Sequence, residues 1–194
     1  DLHKRQVRER AAAAGLVTHA KKDSTGICFV GERPFREFLG RYLPPRPGPI
    51  RSTDGESLGE HGGLMFYTLG QRQGLGIGGR RTGSGEPWYA VAKDLPRNTL
   101  IVAQGHDHPA LFHRRLQASR PHWIAGSAPD RPLRCHAKIR YRQPDQPCWV
   151  EAADGTGVTV RFDEPQRAIT PGQAVVFYRE DECLGGGIID SAHD

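Results

Sequence analysis

The sequence predicts a mainly β protein: a short helical N-terminal segment, a small central β domain and a C-terminal β-barrel. Three observations carry that expectation. Helical periodicity is confined to the stretch before residue 43 and is gone from residue 50 onward. From there, short apolar or β-branched runs alternate with turn signals, the pattern of closely connected strands. Glycine (24 residues) and proline (15) are abundant, which favours many turns over long regular elements. With 194 residues, 37% hydrophobic and 25% charged, the chain can bury a real core as one domain or two small ones.

Residues 3–14 read as a helix rich in Ala, Arg and Glu, with Gly15 as its stop and Leu2, Val7 and Ala11 on an inward face. A loop around Cys28 follows. Pro34 suits the first turn of a second helix over Phe35 to Tyr42. Pro44-Pro45-Arg46-Pro47-Gly48-Pro49 is too proline-rich for regular structure and reads as a linker. The expected strands are Leu64–Leu69, Trp88–Lys93 and Leu100–Ala103, with a turn at Pro96-Arg97-Asn98. After Pro121 come Leu133–Tyr141, Cys148–Ala152, Val158–Phe162, Ala174–Tyr178 and Leu184–Ile189. Asp154-Gly155 marks a hairpin between two of them. The expected parts are residues 1–45, 46–115 and 116–194.

No apolar run approaches the ~18 residues that span a bilayer, so no membrane partner is expected. Cysteines at 28, 135, 148 and 183 form neither a metal pattern nor a tight disulfide framework. A reducing cytoplasm is the expected compartment, with no metal bound. The chain starts with Asp1 and its first residues read as the interior of a longer protein, so a fragment is expected. The net charge of +5 is uneven. Residues 1–50 hold 10 Lys/Arg against 5 Asp/Glu, 51–115 hold 8 against 6, and 116–194 hold 9 against 11. The excess lies around Cys28 and suits an anionic partner such as RNA, although solubility alone accounts for it equally well.

Cys28 is the foremost chemical candidate. It lies between Gly26 and Gly31, after Lys21-Lys22 and before Arg33. Positive neighbours and free backbone amides lower a thiol's pKa and make it a nucleophile, whereas a buried structural thiol is the competing reading. On the strand expected at 133–142, alternation puts Leu133, Cys135, Ala137, Ile139 and Tyr141 on one face. Arg134, His136, Lys138, Arg140 and Arg142 fall on the other, as a basic ribbon. That ribbon fits either a solvated outer face or phosphate contact, with Tyr141 at the strand end available to stack. Cys135, Cys148 and Cys183 read as core. The run Gly70-Gln71-Arg72-Gln73-Gly74-Leu75-Gly76-Ile77-Gly78-Gly79-Arg80-Arg81 lacks the Lys-Ser/Thr of a Walker loop and the following helix of a Rossmann turn. It reads as a basic loop, structural more than catalytic. His106-Asp107-His108 has no third ligand and does not read as a metal site. Ser24 and Thr25 belong to no Gly-x-Ser-x-Gly elbow.

Longer motifs carry a family resemblance. Lys21-Lys22-Asp23-Ser24-Thr25-Gly26-Ile27-Cys28-Phe29-Val30-Gly31-Glu32-Arg33 resembles the bacterial tRNA-specific 2-thiouridylases (MnmA type). So do residues 59–79, Glu86-Pro87-Trp88-Tyr89, Val102-Ala103-Gln104-Gly105, Lys138-Ile139-Arg140-Tyr141-Arg142-Gln143, Thr170-Pro171-Gly172-Gln173 and Cys183-Leu184-Gly185-Gly186-Gly187-Ile188-Ile189. The resemblance spans essentially the whole chain, in order.

The resemblance implies an ATP-pyrophosphatase domain with a Ser-Gly-Gly-x-Asp-Ser loop, a small central β domain and a translation-factor-like β-barrel. The phosphate loop and the first catalytic Asp/Cys pair are not in this sequence. ATP with Mg is therefore expected to bind outside it, and no cofactor within it. The implied reaction adenylates the C2 oxygen of the wobble uridine of tRNA, and a cysteine persulfide then delivers sulfur. Cys28 matches the persulfide cysteine, charged by an upstream persulfide sulfur-donor protein. No cysteine precedes Cys28 to resolve that persulfide as a disulfide. Arg140, Tyr141 and Gln173 match positions that contact tRNA. By this reading the chain is part of a tRNA-uridine 2-sulfurtransferase, inactive alone. The alternatives are a non-catalytic RNA-binding module and a protein-docking barrel.

Overall fold

A computed structural model describes residues 2–21, 35–77, 85–153 and 156–194. Among the described residues two α-helices precede ten strands: α1 (Lys4–Ala13), α2 (Phe35–Tyr42), β1 (Gly48–Ser52), β2 (Ser57–His61), β3 (Trp88–Asp94), β4 (Thr99–Gln104), β5 (Phe112–Trp123), β6 (Leu133–Lys138), β7 (Gln146–Ala153), β8 (Gly157–Arg167), β9 (Ala174–Arg179) and β10 (Glu182–His193). The protein is mainly β, as the sequence predicts. The chain divides into two units, Asp1–Pro44 and Pro45–Asp194.

In the first unit α1 stops where expected. Gly15 takes φ +69°, and the amide of Leu16 bonds back to the carbonyl of Ala11. Its supposed inward face is a correction. No residue of α1 is buried, and Leu2 and Val7 are about half exposed.

In the second unit β2-β1-β4-β3 form one sheet, with β1 parallel to β4 and the other pairs antiparallel. Sequence reading missed β1 and β2, and Pro49, assigned to the linker, lies inside β1. Leu64–Leu69 is not a strand. Leu64–Phe66 turns as a 3₁₀ helix and Tyr67 follows in extended conformation. His61, almost fully buried, ties this end together: its Nε2 donates to the Asn98 carbonyl (2.9 Å) and its Nδ1 accepts from the Gly63 amide (3.1 Å). Both ring nitrogens are thereby satisfied in the neutral form.

Alternation explains why β3 and β4 read as continuous apolar runs. Ala90, Leu100 and Val102 pack into the sheet's own core with Ile50, Leu58 and Tyr67. Tyr89, Val91 and Ala103 point the other way, onto Leu111 and Ala168 at the base of the barrel. A strand buried on both faces carries no polar alternation.

The barrel closes in the order β10-β5-β8-β7-β6-β9. Leu116, Ala137, Cys148, Val150, Val160, Phe162, Val175, Phe177 and Ile189 fill it, each at most 1% exposed. Strand β5 pairs with both β8 and β10, yet sequence reading passed over it. Its polar residues and Pro121 mask a strand in which only Leu116, Ala118 and Trp123 are buried. The hairpin at Asp154-Gly155 lies outside the described residues, but β7 and β8 on either side pair antiparallel.

Candidate nucleic-acid interface

The basic ribbon has two ends with different surroundings. On β6 the alternation holds: Cys135 and Ala137 are buried and Arg134 and His136 exposed. Arg134 is already engaged. Its guanidinium donates twice to Asp163 (2.7 and 2.6 Å) and lies 5.3 Å from the Trp149 ring centroid. The Arg134 hydrogen bonds in turn hold the Asp163 carboxyl below its ordinary pKa. Alongside, Glu151 accepts from Arg115 and Arg161, both at 2.6 Å. These contacts make the lower ribbon a paired, solvated outer face.

The strand ends at Lys138, three residues earlier than expected, and this corrects the placement of Tyr141. Period-two alternation stops with the ladder. The chain turns, and Tyr141 is 94% exposed rather than on the inward face. Ile139 remains in the core, its amide donating to Gln143 Oε1 (3.1 Å).

That turn creates a concavity of about 500 Å³. Strand β6 pairs with β9 through His136↔Tyr178 and Lys138↔Val176. The register brings the start of β9 beside the residues that follow Lys138. Lys138, Arg140, Tyr141, Gln173 and Tyr178 all line the hollow. Arg140, Tyr141 and Gln173, far apart in sequence, are thus brought together. Gln173 is held by its main chain, whose amide donates to Thr170 (3.2 Å) and whose carbonyl accepts from Ile189 (2.8 Å). Lys138 contacts Asp145 (3.2 Å) and sits 5.2 Å from the Tyr178 ring centroid.

Arg140 is fixed at its tip. Its Nη2 donates to the Ala168 carbonyl (2.9 Å), which also accepts from Thr170 Oγ1 (2.9 Å). Burial, and then the nearby charge of Arg167, lower its pKa from the ordinary arginine value. Arg167 comes from the end of β8, stacks 5.1 Å from the Tyr89 ring centroid and donates Nε to the His106 carbonyl (3.0 Å). Both guanidinium groups approach Gly70. A Cβ there would lie 3.2 Å from Arg167 Nη1, 3.6 Å from Arg140 Nη2 and 2.9 Å from Ala168 Cβ. Gly70 also has φ +79°, which an L side chain adopts only under strain.

Of the remaining candidates, Cys28 and the Gly78–Arg81 end of the glycine-rich run lie outside the described residues. The start of that run is structural: the Gly70 amide donates to Ala90 (2.7 Å) and the Gln71 carbonyl accepts from Ala90 (3.0 Å). His106 Nδ1 contacts Asp107 (2.5 Å), while His108 Nδ1 accepts from the Ala110 amide (3.2 Å) as a helix cap. Cys135 and Cys148 face each other in the barrel core with their sulfurs 3.7 Å apart. The hydrogen bond shared with Cys135, then burial, push the Cys148 thiol up, away from the reactive thiolate. Cys183 is a correction, since it is half-buried at the start of β10 rather than in the core. Sequence reasoning did not find Tyr178 or Arg167. Neither sits in a local pattern, and only strand register brings them to the site.

Three family models match the chain consecutively. They are the tRNA methyl transferase HUP domain over residues 1–32, the tRNA methyl transferase PRC-barrel domain over 36–104, and the aminomethyltransferase beta-barrel domain over 113–189. Among curated proteins, the tRNA-specific 2-thiouridylase MnmA of Methylococcus capsulatus is 61% identical over 97% of this chain and 52% of its own length. Its namesakes in Burkholderia thailandensis and Nitrosococcus oceani are 57% and 58% identical over 99% and 97% of the chain. The chain spans about half the length of these relatives. Such identity across the sheet, the barrel and the segment before them shows that the chain belongs to the tRNA-specific 2-thiouridylase family.

Proposed function

We propose that the chain is part of an ATP-dependent sulfurtransferase that 2-thiolates the wobble uridine of tRNA. In this reading residues 1–45 carry the persulfide cysteine, 46–115 the central sheet and 116–194 the RNA-gripping barrel. The observation that supports it best is the convergence of Arg140, Tyr141 and Gln173 on one concavity. A cation fixed at its tip, an exposed aromatic ring and an amide on a rigid main chain suit phosphate pairing, base stacking and hydrogen bonding to RNA.

ATP with Mg acts in the part of the protein beyond this chain, consistent with the HUP model over residues 1–32. It turns the uridine C2 oxygen into a leaving group that departs as AMP. Cys28 supplies the sulfur: its persulfide, loaded by thiol exchange from an upstream donor protein, attacks C2. A second thiol, outside this chain, then attacks Cys28 Sγ: the S–S bond breaks, a disulfide to Cys28 forms, and the terminal sulfur keeps the electron pair and stays on C2. Lys21, Lys22 and Arg33 favour the anionic sulfur needed for both steps. Without the ATP site the chain alone does not thiolate.

The test uses the whole protein with ATP, a tRNA transcript and a persulfide donor. Cys28→Ser is expected to abolish 2-thiouridine formation and leave tRNA affinity unchanged. Retained thiolation would remove Cys28 from the mechanism. Salt-dependent tRNA binding without thiolation would favour a non-catalytic RNA-binding module. Absence of binding even at low salt would favour a protein-docking barrel.

A further inference from the structure

A second concavity of about 500 Å³ lies on the other side of Arg140. The turn after β6 and the end of β8 line it, contributing Arg140, Arg142, Gln143, Glu164 and Arg167. Its wall is rigid. Gln143 Nε2 donates to Gln166 Oε1 (2.8 Å), and Gln166 Nε2 donates to Gln146 Oε1 (3.1 Å) and to the Glu164 carbonyl (2.9 Å).

Charge at this wall is unbalanced. Three guanidinium groups line it and one carboxylate, Glu164, whose side chain is 82% exposed and pairs with Arg114 at 3.8 Å. Arg140 and Arg167 are held close together at Gly70, and among the described residues each donates to a backbone carbonyl rather than a carboxylate. Arg167 Nη2 is buried with no hydrogen-bond partner among the described residues. Arg142 is exposed at the rim. Like charges fixed side by side cost energy that an anion would offset. The volume is in the range of small-ligand sites and admits a phosphate with its ribose.

We propose that this second concavity is a phosphodiester site, and that an RNA strand crosses Arg140 from the Tyr141–Gln173 hollow to the Arg142–Arg167 hollow. Arg140 then stands between two consecutive backbone contacts and Arg142 closes the second. The inference rests on the tRNA-binding reading above.

The experiment titrates this chain with an unmodified tRNA transcript at several salt concentrations. Arg142→Gln is expected to weaken binding about fivefold at low salt. It should also flatten the log affinity against log salt slope by about one. Glu164→Gln, which removes the repelling carboxylate, should strengthen binding. Arg142 is exposed, so its variant tests the site without disturbing the core, unlike one at Arg167. If the unaltered chain binds and Arg140→Ala weakens it, but Arg142→Gln changes neither affinity nor slope, the second site is wrong and the first stands. If the unaltered chain does not bind, both are wrong.

Discussion

Arg134 and Arg140 belong to one basic stretch but meet different surroundings. Arg134 points across the barrel's outer face to Asp163, stacks on Trp149 and has a neighbouring Arg–Glu–Arg cluster. Arg140 lies past the end of β6, where its hydrogen-bond partner among the described residues is a backbone carbonyl and the charge of Arg167 bears on it. The difference teaches that the number of basic residues on a strand does not tell how many are left to meet an anion. What matters is whether the protein has already supplied their counter-ions. A paired arginine must break its ion pair to meet a phosphate, whereas an unpaired one gains from the meeting.

The comparison is broken most forcefully at Gly70. Gly70→Ala puts a side chain at φ +79° against Ala168 and both guanidinium groups. A cost of about 2 kcal/mol in unfolding free energy is expected, with tRNA affinity falling in parallel. Denaturant titration beside tRNA titration checks this, and unchanged values in both would show that the corner is not rigid. Next in size is Arg140→Ala, expected to weaken tRNA binding about tenfold while the thermal midpoint hardly moves. Unchanged affinity would refute the phosphate-contact reading.

Arg134→Gln should do the reverse, leaving tRNA affinity intact and lowering the midpoint by at most about 3 °C. A loss of affinity there matching that of Arg140→Ala would erase the distinction. The smallest effect concerns pH. Hydrogen bonds from Arg161 and Arg134 hold the Glu151 and Asp163 carboxyls below their ordinary values of 4.5 and 3.8. The unfolded chain therefore takes up protons first as pH falls. The stabilisation is fully present above pH 4.5 and drains away as pH drops through the lower folded-state values. Thermal melts should show a slight acid decline that Glu151→Gln with Asp163→Asn flattens.

Legibility in the sequence followed local chemistry. The helix stop at Gly15, the turn around Asn98 and the strands β3, β4 and β7–β10 were readable because turn residues and apolar runs mark them without reference to neighbours. β1, β2 and β5 were not, because prolines and polar residues interrupt them and only pairing with other strands makes them strands. The Arg140–Tyr141 and Gln173 motifs were legible one by one through the family resemblance, but not as members of one hollow.

The sequence by itself determined the β class, the inward set of β6, the basic stretch and the family to which the chain belongs. These depend on residue type and period, which survive in a linear string. Only the tertiary structure decided where β6 stops and so where Tyr141 points, and which arginines find a carboxylate. It also brought Tyr178, Gln173 and Arg167 beside Arg140. Those outcomes depend on register between strands distant in sequence, where an ion pair or a turn is fixed by a partner no local pattern names.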